Sequence, residues 1–208
     1  HMSPDEVRGA IDRFSKKYKQ DWKEWTISFQ SSLPSSGQIA RTFGSILRKW
    51  QATRPRPMRR PRSEAIHPAP YLDDLLLEAS LHLKDLGNLS VREIKTAAPK
   101  QTQALLALWD IFRNLTYQGK ATCVGITKSV LLLTEGRIGP AFDSTVRGRL
   151  GIGQPPNGNT WIENLCSISD DIKLFEARNG VRIESLVAAE WAPVNVGRAY
   201  DMVAGPKD

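Results

Sequence analysis

The stretch of the chain richest in reactive chemistry runs from Gly119 to Gly151. It opens on Gly119-Lys120-Ala121-Thr122-Cys123-Val124-Gly125-Ile126-Thr127-Lys128-Ser129 and passes through the apolar run Val130-Leu131-Leu132-Leu133. It closes on Gly139-Pro140-Ala141-Phe142-Asp143-Ser144-Thr145-Val146-Arg147-Gly148-Arg149-Leu150-Gly151. A glycine turn feeds a buried helix, Pro140 enforces a loop after it, and Asp143 stands where the next helix begins. Unpaired amides at the start of the helix around Gly125 would face outward as donors to a phosphate. A carboxylate one loop away could stabilise the positive charge that develops on a deoxyribose as its N-glycosidic bond breaks. The same residues have a plainer reading, in which Asp143, followed by Ser144 and Thr145, caps a helix and does nothing more.

Val124-Gly125 followed by a short helix, and then Pro140-x-x-Asp143-Ser144-Thr145-Val146, resembles the signature of the helix-hairpin-helix DNA glycosylase superfamily, with the likeness confined to residues 119–151. Members are all-α base-excision enzymes in which a Leu-Pro-Gly-Val-Gly hairpin precedes a buried helix and a Val-Asp-Thr-His-Val type segment carries an essential aspartate. The resemblance implies that Asp143 is that aspartate. Adenine glycosylases of the family share a proline three residues before it, as Pro140 is here. Thr122-Cys123 departs from the expected Pro-Gly, and the interval from Gly125 to Asp143 is slightly short. Lyase-competent members carry a lysine two residues after the last hairpin glycine. A strict count lands on Thr127 and implies a monofunctional enzyme using water activated by Asp143. A shift of one residue makes Lys128 a Schiff-base nucleophile instead. Monofunctional chemistry is the preferred expectation. No cysteine quartet follows, so the iron–sulfur cluster of some members has no ligands, and no cofactor is expected.

On this reading the partner is double-stranded DNA with a flipped modified, damaged or mismatched base. Its phosphates would meet the amides from Val124 and Gly125 through Thr127 to Lys128, the side chain of Lys120, and the guanidinium groups of Arg56, Arg59, Arg60, Arg147 and Arg149. An extruded base needs aromatic or apolar walls. Among Trp22, Trp25, Trp50, Tyr71, Trp109, Tyr117, Trp161 and Trp191, the two chosen as candidates are Tyr117 and Trp161, close in sequence to the glycine turn and to the loop after Gly151. Two rivals stand beside the enzyme: a non-catalytic DNA-binding module and an RNA-binding helical protein. Gly151 to Asn159 is glycine-rich but lacks the Lys-Ser/Thr ending of a P-loop and follows no strand, so it reads as a turn.

The elements that must hold these residues are predicted to be helices. Ser3-Pro4-Asp5-Glu6 is a capping box opening a helix from about 4 to 20, with Val7, Ile11 and Phe14 on one face. After Pro34-Ser35-Ser36-Gly37, the spacing of Ile39, Phe43, Ile46, Leu47 and Trp50 predicts a second helix ending near Gln51. Arg54-Pro55-Arg56-Pro57-Met58-Arg59-Arg60-Pro61-Arg62 forbids a regular helix and is either a phosphate-gripping strap or a disordered linker. Further helices are expected from Leu72 to Gly87, after Ser90, over about 101–116, from Ile162 to Asn179-Gly180, and around 182–189 and 197–203. Strand-like alternation is scarce, and the expected fold is all-α, with roughly ten helices in a compact domain like that of the glycosylase superfamily. Residues 1–62 are expected as basic helices and an Arg/Pro segment on or beside a core formed by 63–208.

Charge supports a polyanion partner. Of 208 residues, 40% are hydrophobic and 25% charged, with a net charge of +7. Residues 1–62 hold 14 Lys/Arg against 5 Asp/Glu, whereas 63–208 hold 15 against 17. Such asymmetry points to nucleic acid rather than membrane, because no amphipathic anchor accompanies it and the longest apolar run is far too short to span a bilayer. His1-Met2 reads as an expression remnant, and no leader is expected. Two cysteines and three histidines give neither a disulfide framework nor zinc-ligand spacing, and a reducing, cytoplasmic setting is expected.

Overall fold

The structure, a computed structural model, describes residues 2–31, 37–191 and 193–208. Among them are nine α-helices: α1 (Pro4–Asp12), α2 (Lys17–Ser31), α3 (Gly37–Lys49), α4 (Leu72–Leu86), α5 (Pro99–Phe112), α6 (Cys123–Leu133), α7 (Ser144–Leu150), α8 (Gly158–Asn179) and α9 (Val196–Ala204). Short 3₁₀ turns at Arg62–Glu64, Val91–Thr96, Ile183–Leu186 and Ala189–Trp191 join them. Extended pairing among the described residues is limited to two isolated bridges, Phe14 with Lys207 and Met58 with Thr116. The all-α expectation holds. No described helix is long and apolar enough to cross a membrane.

Helix α6 is the centre of the domain. Apart from Val124 all its residues are buried, including Thr127, Lys128 and Ser129. A helix buried on every side cannot be amphipathic, which is why its apolar run lacks a polar face. The hydroxyls of Thr127 and Ser129 satisfy themselves by donating to the carbonyls of Cys123 and Gly125, each at 2.8 Å. Around α6 pack α5 and α3, with α4 on α5, α2 beside α3, and α9 against α1 and α7. Trp25 of α2 donates its indole N–H to the Leu132 carbonyl at 2.7 Å. One continuous core runs from Val7 to Met202, so the basic N-terminal helices share it with the rest of the chain.

Several expectations need correction. The helix foreseen over 4–20 is two helices separated at Arg13 to Lys16. The C-terminal tail causes the break: the Ser15 amide donates to the Pro206 carbonyl, the Ser15 hydroxyl to Asp208, the Lys16 amide to Asp208, and the Asp208 amide to the Arg13 carbonyl. These partners satisfy backbone groups that would otherwise need helix continuation. Helix α8 starts four residues earlier than foreseen because the Asn157 side chain accepts from the Thr160 amide and caps it. The helix expected around 182–189 is two 3₁₀ turns. The Pro34-Ser35-Ser36 segment and His1 lie outside the described residues.

The Arg/Pro segment is an ordered strap. Met58 is buried, the Arg59 amide donates to the Leu115 carbonyl at 2.9 Å and the Tyr117 amide to the Pro57 carbonyl at 3.3 Å. The Arg60 amide donates to His67 Nε2 at 2.8 Å, and the Leu72 amide to the Arg60 carbonyl at 3.0 Å. The strap thereby lies along the connection between α5 and α6.

Candidate functional site

Asp143 caps α7. Its Oδ1 accepts from the Val146 amide at 3.0 Å, while Oδ2 has no hydrogen-bond partner among the described residues. One oxygen is therefore structural and the other is available. Four contacts position the loop that delivers it. The Ala141 amide donates to Asp201 Oδ1 at 3.0 Å, and the Phe142 amide to Thr127 Oγ1 at 2.8 Å. The Phe142 carbonyl accepts from Arg147 Nε at 3.2 Å and from the Cys123 thiol at 3.6 Å.

Half-buried Asp143 lines a cleft of about 300 Å³ between the start of α2, the end of α3, the start of α6 and α7. Lys128 lines it too. This lysine is 8% exposed and donates from Nζ to the Trp50 carbonyl at 2.6 Å. Burial pushes its ammonium below the ordinary lysine range, and the Asp143 and Asp201 carboxylates oppose that shift. Lys17, Lys49, Arg54 and Arg147 supply further positive charge to the cleft, and Tyr18 and Trp50 give it aromatic walls. Lys49 is already paired with Asp21 at 2.8 Å, and the same carboxylate accepts the Trp50 indole N–H at 3.0 Å.

A second hollow, of about 230 Å³, adjoins the first and shares Gln51, Ala52 and Arg54 with it. Arg48, Arg56 and Arg60 line it with Tyr117. Arg48, Arg54, Arg56 and Arg60 make no ion pair among the described residues, an unusual concentration of uncompensated charge.

Adjoining the cleft is a hollow of about 20 Å³ walled in part by Tyr18, Trp50, Lys128 and Asp143, which also line the cleft. Its lining includes a buried ion pair, Arg198 Nη1 to Asp201 Oδ2 at 2.5 Å, with side chains 2% and 7% exposed. The guanidinium carbon sits 4.9 Å from the ring centres of Phe14 and Trp22 and 5.3 Å from that of Trp50. Burial raises Asp201 above its usual range, and the neighbouring Arg198 opposes this.

The expected phosphate-binding amides are largely spent. Helix α6 starts at Cys123, so the Ile126 amide already donates to the Thr122 carbonyl, and the amides of Thr127 and Lys128 lie inside the helix. Gly125 is buried where an added Cβ would lie 3.0 Å from the Ala52 carbonyl, and of the residues from Val124 to Lys128 only Val124 and Lys128 line the cleft. Thr127 is 2% exposed, and its hydroxyl serves the Asp143 loop.

Other predicted residues fall elsewhere. Arg59 holds the carbonyls of Asn114 and Pro70, each at 2.6 Å, and that of Pro68 at 3.3 Å. Arg149 holds the Gly205 carbonyl at 2.5 Å and lines an apolar groove, not the cleft. Lys120 is exposed and donates to Asn114 Oδ1 at 2.6 Å. Trp161 is core, 1% exposed and 5.6 Å from Trp109 between ring centres, which corrects its assignment to a base pocket. Tyr117 stacks on His67 at 4.7 Å and belongs to the arginine-lined hollow. Cys123, buried with its thiol pushed up to about 11 by burial, is no nucleophile.

Arg198 and Asp201 are not among the sequence candidates, Trp50 stands among the aromatics without being chosen, and Lys17 and Tyr18 belong to the mixture Lys16-Lys17-Tyr18-Lys19, which reads either as a solvated basic face or as a nucleic-acid contact. Among the described residues, no group of three or more His, Cys, Asp and Glu gathers as a metal site would require. No family model, no curated protein and no solved structure matches the chain. Fold and cleft together define an all-α protein with a cationic, aromatic-walled cleft that contains one carboxylate and one buried lysine.

Proposed function

We propose that this protein is a DNA glycosylase that cleaves the N-glycosidic bond of a modified, damaged or mismatched base. The observation that carries the reading is that Asp143 and Lys128, remote from each other in local structure, line one cleft with a cationic border. Lys17, Arg54 and Arg147 would grip the phosphates of the lesion strand, and Arg48, Arg56 and Arg60 those of the adjoining nucleotides. Extrusion costs a few kcal/mol of stacking, which Tyr18 and Trp50 offset by packing on the flipped base.

In the reaction, Asp143 Oδ2 stabilises the positive charge growing at C1′ and the ring oxygen as the base departs with the bonding electrons and takes up a proton. Lys128 adds a second step. Burial disfavours its charged form, and the lone pair that Nζ gains on losing a proton bonds to C1′. Loss of one Nζ proton to solvent and passage of the other to O4′ as the C1′–O4′ bond opens give an imine, and removal of a C2′ proton then expels the 3′ phosphate by β-elimination and breaks the strand. The lysine's share in the cleft favours this lyase step over the water-only chemistry expected from a strict residue count.

The test is a panel of modified-base duplexes, scored for free base by mass spectrometry and for covalent capture by borohydride. Base release that Asp143→Asn abolishes, and capture that Lys128→Gln abolishes, are the expected results. Duplex binding with neither outcome would favour the non-catalytic module, for which the four unpaired arginines are the supporting observation. Tighter binding of single-stranded RNA than of duplex DNA would favour the RNA-binding alternative.

A further inference from the structure

An arginine with hydrogen-bond donors left over is rare inside a protein, because a buried unsatisfied donor costs the full loss of its hydration. Arg198 is such a residue. Nη1 is taken by Asp201, but Nε and Nη2 have no acceptor among the described residues. These two nitrogens carry parallel N–H bonds along one edge of the guanidinium, the edge that binds two adjacent acceptors at once. Arg92 in this same protein shows the edge filled: its Nε and Nη2 take the two oxygens of Glu176 at 3.0 and 2.6 Å.

Two features limit what can fill the edge of Arg198. The charge of Arg198 is already balanced by Asp201, and Asp143 and Lys128 also border the hollow, so two carboxylates stand beside Arg198 and Lys128 and offer an anion no excess of positive charge. A neutral pair of acceptors fits better. The hollow of about 20 Å³ shares Tyr18, Trp50, Lys128 and Asp143 with the aromatic-walled cleft of about 300 Å³. A planar ring seated in the cleft, with two adjacent acceptors on the edge it turns toward Arg198, would satisfy both donors.

We propose that the Nε/Nη2 edge of Arg198 reads the O6/N7 edge of an extruded 6-oxopurine whose N7 is unsubstituted, the class that contains guanine and the deaminated purines hypoxanthine and xanthine. The pairing is the same bidentate contact by which arginine reads guanine in a DNA groove. Adenine presents an amino donor at that place and is repelled by the guanidinium donors. Purines bearing hydrogen or methyl at N7, such as 8-oxoguanine and 7-methylguanine, lose one acceptor. Pyrimidines lack the edge. The inference rests on the glycosylase reading for its biological setting, but not for the binding it specifies.

The test has two arms with the full chain. In the first, tryptophan fluorescence is titrated with the free bases hypoxanthine, 7-deazahypoxanthine and adenine. Saturable binding of hypoxanthine, weakened about tenfold or more both by the 7-deaza change and by Arg198→Lys, is the expected result. The 7-deaza base keeps the arm decisive if Arg198→Lys does not fold, because it alters the ligand and leaves the protein intact. Equal affinity for all three bases, or no saturable change with any, overturns the proposal and leaves the hollow to a water only. In the second arm, released bases are identified from duplexes containing hypoxanthine, xanthine, 8-oxoguanine, 7-methylguanine or uracil. Release confined to the first two supports the proposal, whereas preferred release of any of the others overturns it with the glycosylase reading intact. No release from any duplex overturns the glycosylase reading, and the fluorescence arm then decides the role of Arg198 by itself.

Discussion

Thr127 Oγ1 accepts the Phe142 amide at 2.8 Å while donating to the Cys123 carbonyl at the same distance, so a single hydroxyl ties the central helix to the loop that ends in Asp143. Thr127→Val keeps the shape and removes both bonds, leaving a buried N–H without an acceptor. The expected loss is about 1–3 kcal/mol of unfolding free energy, read from urea denaturation. Thr127→Ser, which keeps the hydroxyl, should lose clearly less.

The capping and catalytic roles of Asp143 separate by substitution. Asn is as good an N-cap as Asp, so Asp143→Asn should stay within about 0.5 kcal/mol of the parent, whereas Asp143→Ala should lose about 0.5–2 kcal/mol. Base release should vanish in both. Retained activity in Asp143→Asn would leave the residue as a cap alone.

The strap arginines should divide into two kinds. Arg56 is exposed beside the second hollow, and Arg56→Gln should flatten the slope of log affinity for duplex DNA against log salt by about 0.9 without affecting stability. Arg59 braces three carbonyls, so Arg59→Gln should leave the slope unchanged and cost about 1–3 kcal/mol on unfolding.

Lys207 predicts a pH dependence. Its Nζ donates to the carbonyls of Ala10, Met202 and Val203, and burial, with Arg149 and Arg13 nearby, pushes its pKa down to about 8 from 10.5. Between those values the unfolded chain holds a proton that the folded chain has released. The contribution to unfolding free energy therefore rises with pH across that window and is flat below about 8. Urea midpoints measured from pH 7 to 10 should show this rise in the parent and a smaller one in Lys207→Met.

Gly197 and Gly139 meet backbone to backbone. A Cβ on Gly197 would lie 2.6 Å from the Gly139 nitrogen and 2.8 Å from the Gly136 carbonyl oxygen, neither of which can swing aside as a side chain would. Gly197→Ala should cost roughly 1–3 kcal/mol, visible as a lowered Tm, and should also reduce base release by shifting the Asp143 loop.

Legibility in the sequence followed the range of the forces involved. Helices α3, α4 and α5 declare themselves because their stripes arise from local periodicity, and Asp143 because capping is a local event. Trp161 was misassigned although its spacing to Leu165, Ile168 and Ile172 marked it as part of the buried stripe of α8; nearness to a glycine loop was the weaker signal. The break at Arg13 to Lys16 was hidden because its cause lies at residues 206–208. The composition of the strap is the same whether it is docked or free, and docking depends on Met58 finding its bridge to Thr116. Arg198 and Asp201 have the three-residue spacing of an ordinary surface pair, and nothing local reveals that three aromatic rings surround the Arg198 guanidinium.

The contact between Gly139 and Gly197, with the Arg198 amide bonded to the Gly136 carbonyl at 2.8 Å, joins the loop before Asp143 to the helix that carries Arg198. The carboxylate in the cleft and the guanidinium of the adjoining hollow are thus mounted on a common chassis. Transplanting either into another scaffold would require segments 134–143 and 196–201 to travel together as a single cassette, and drift in one would constrain which residues the other can accept.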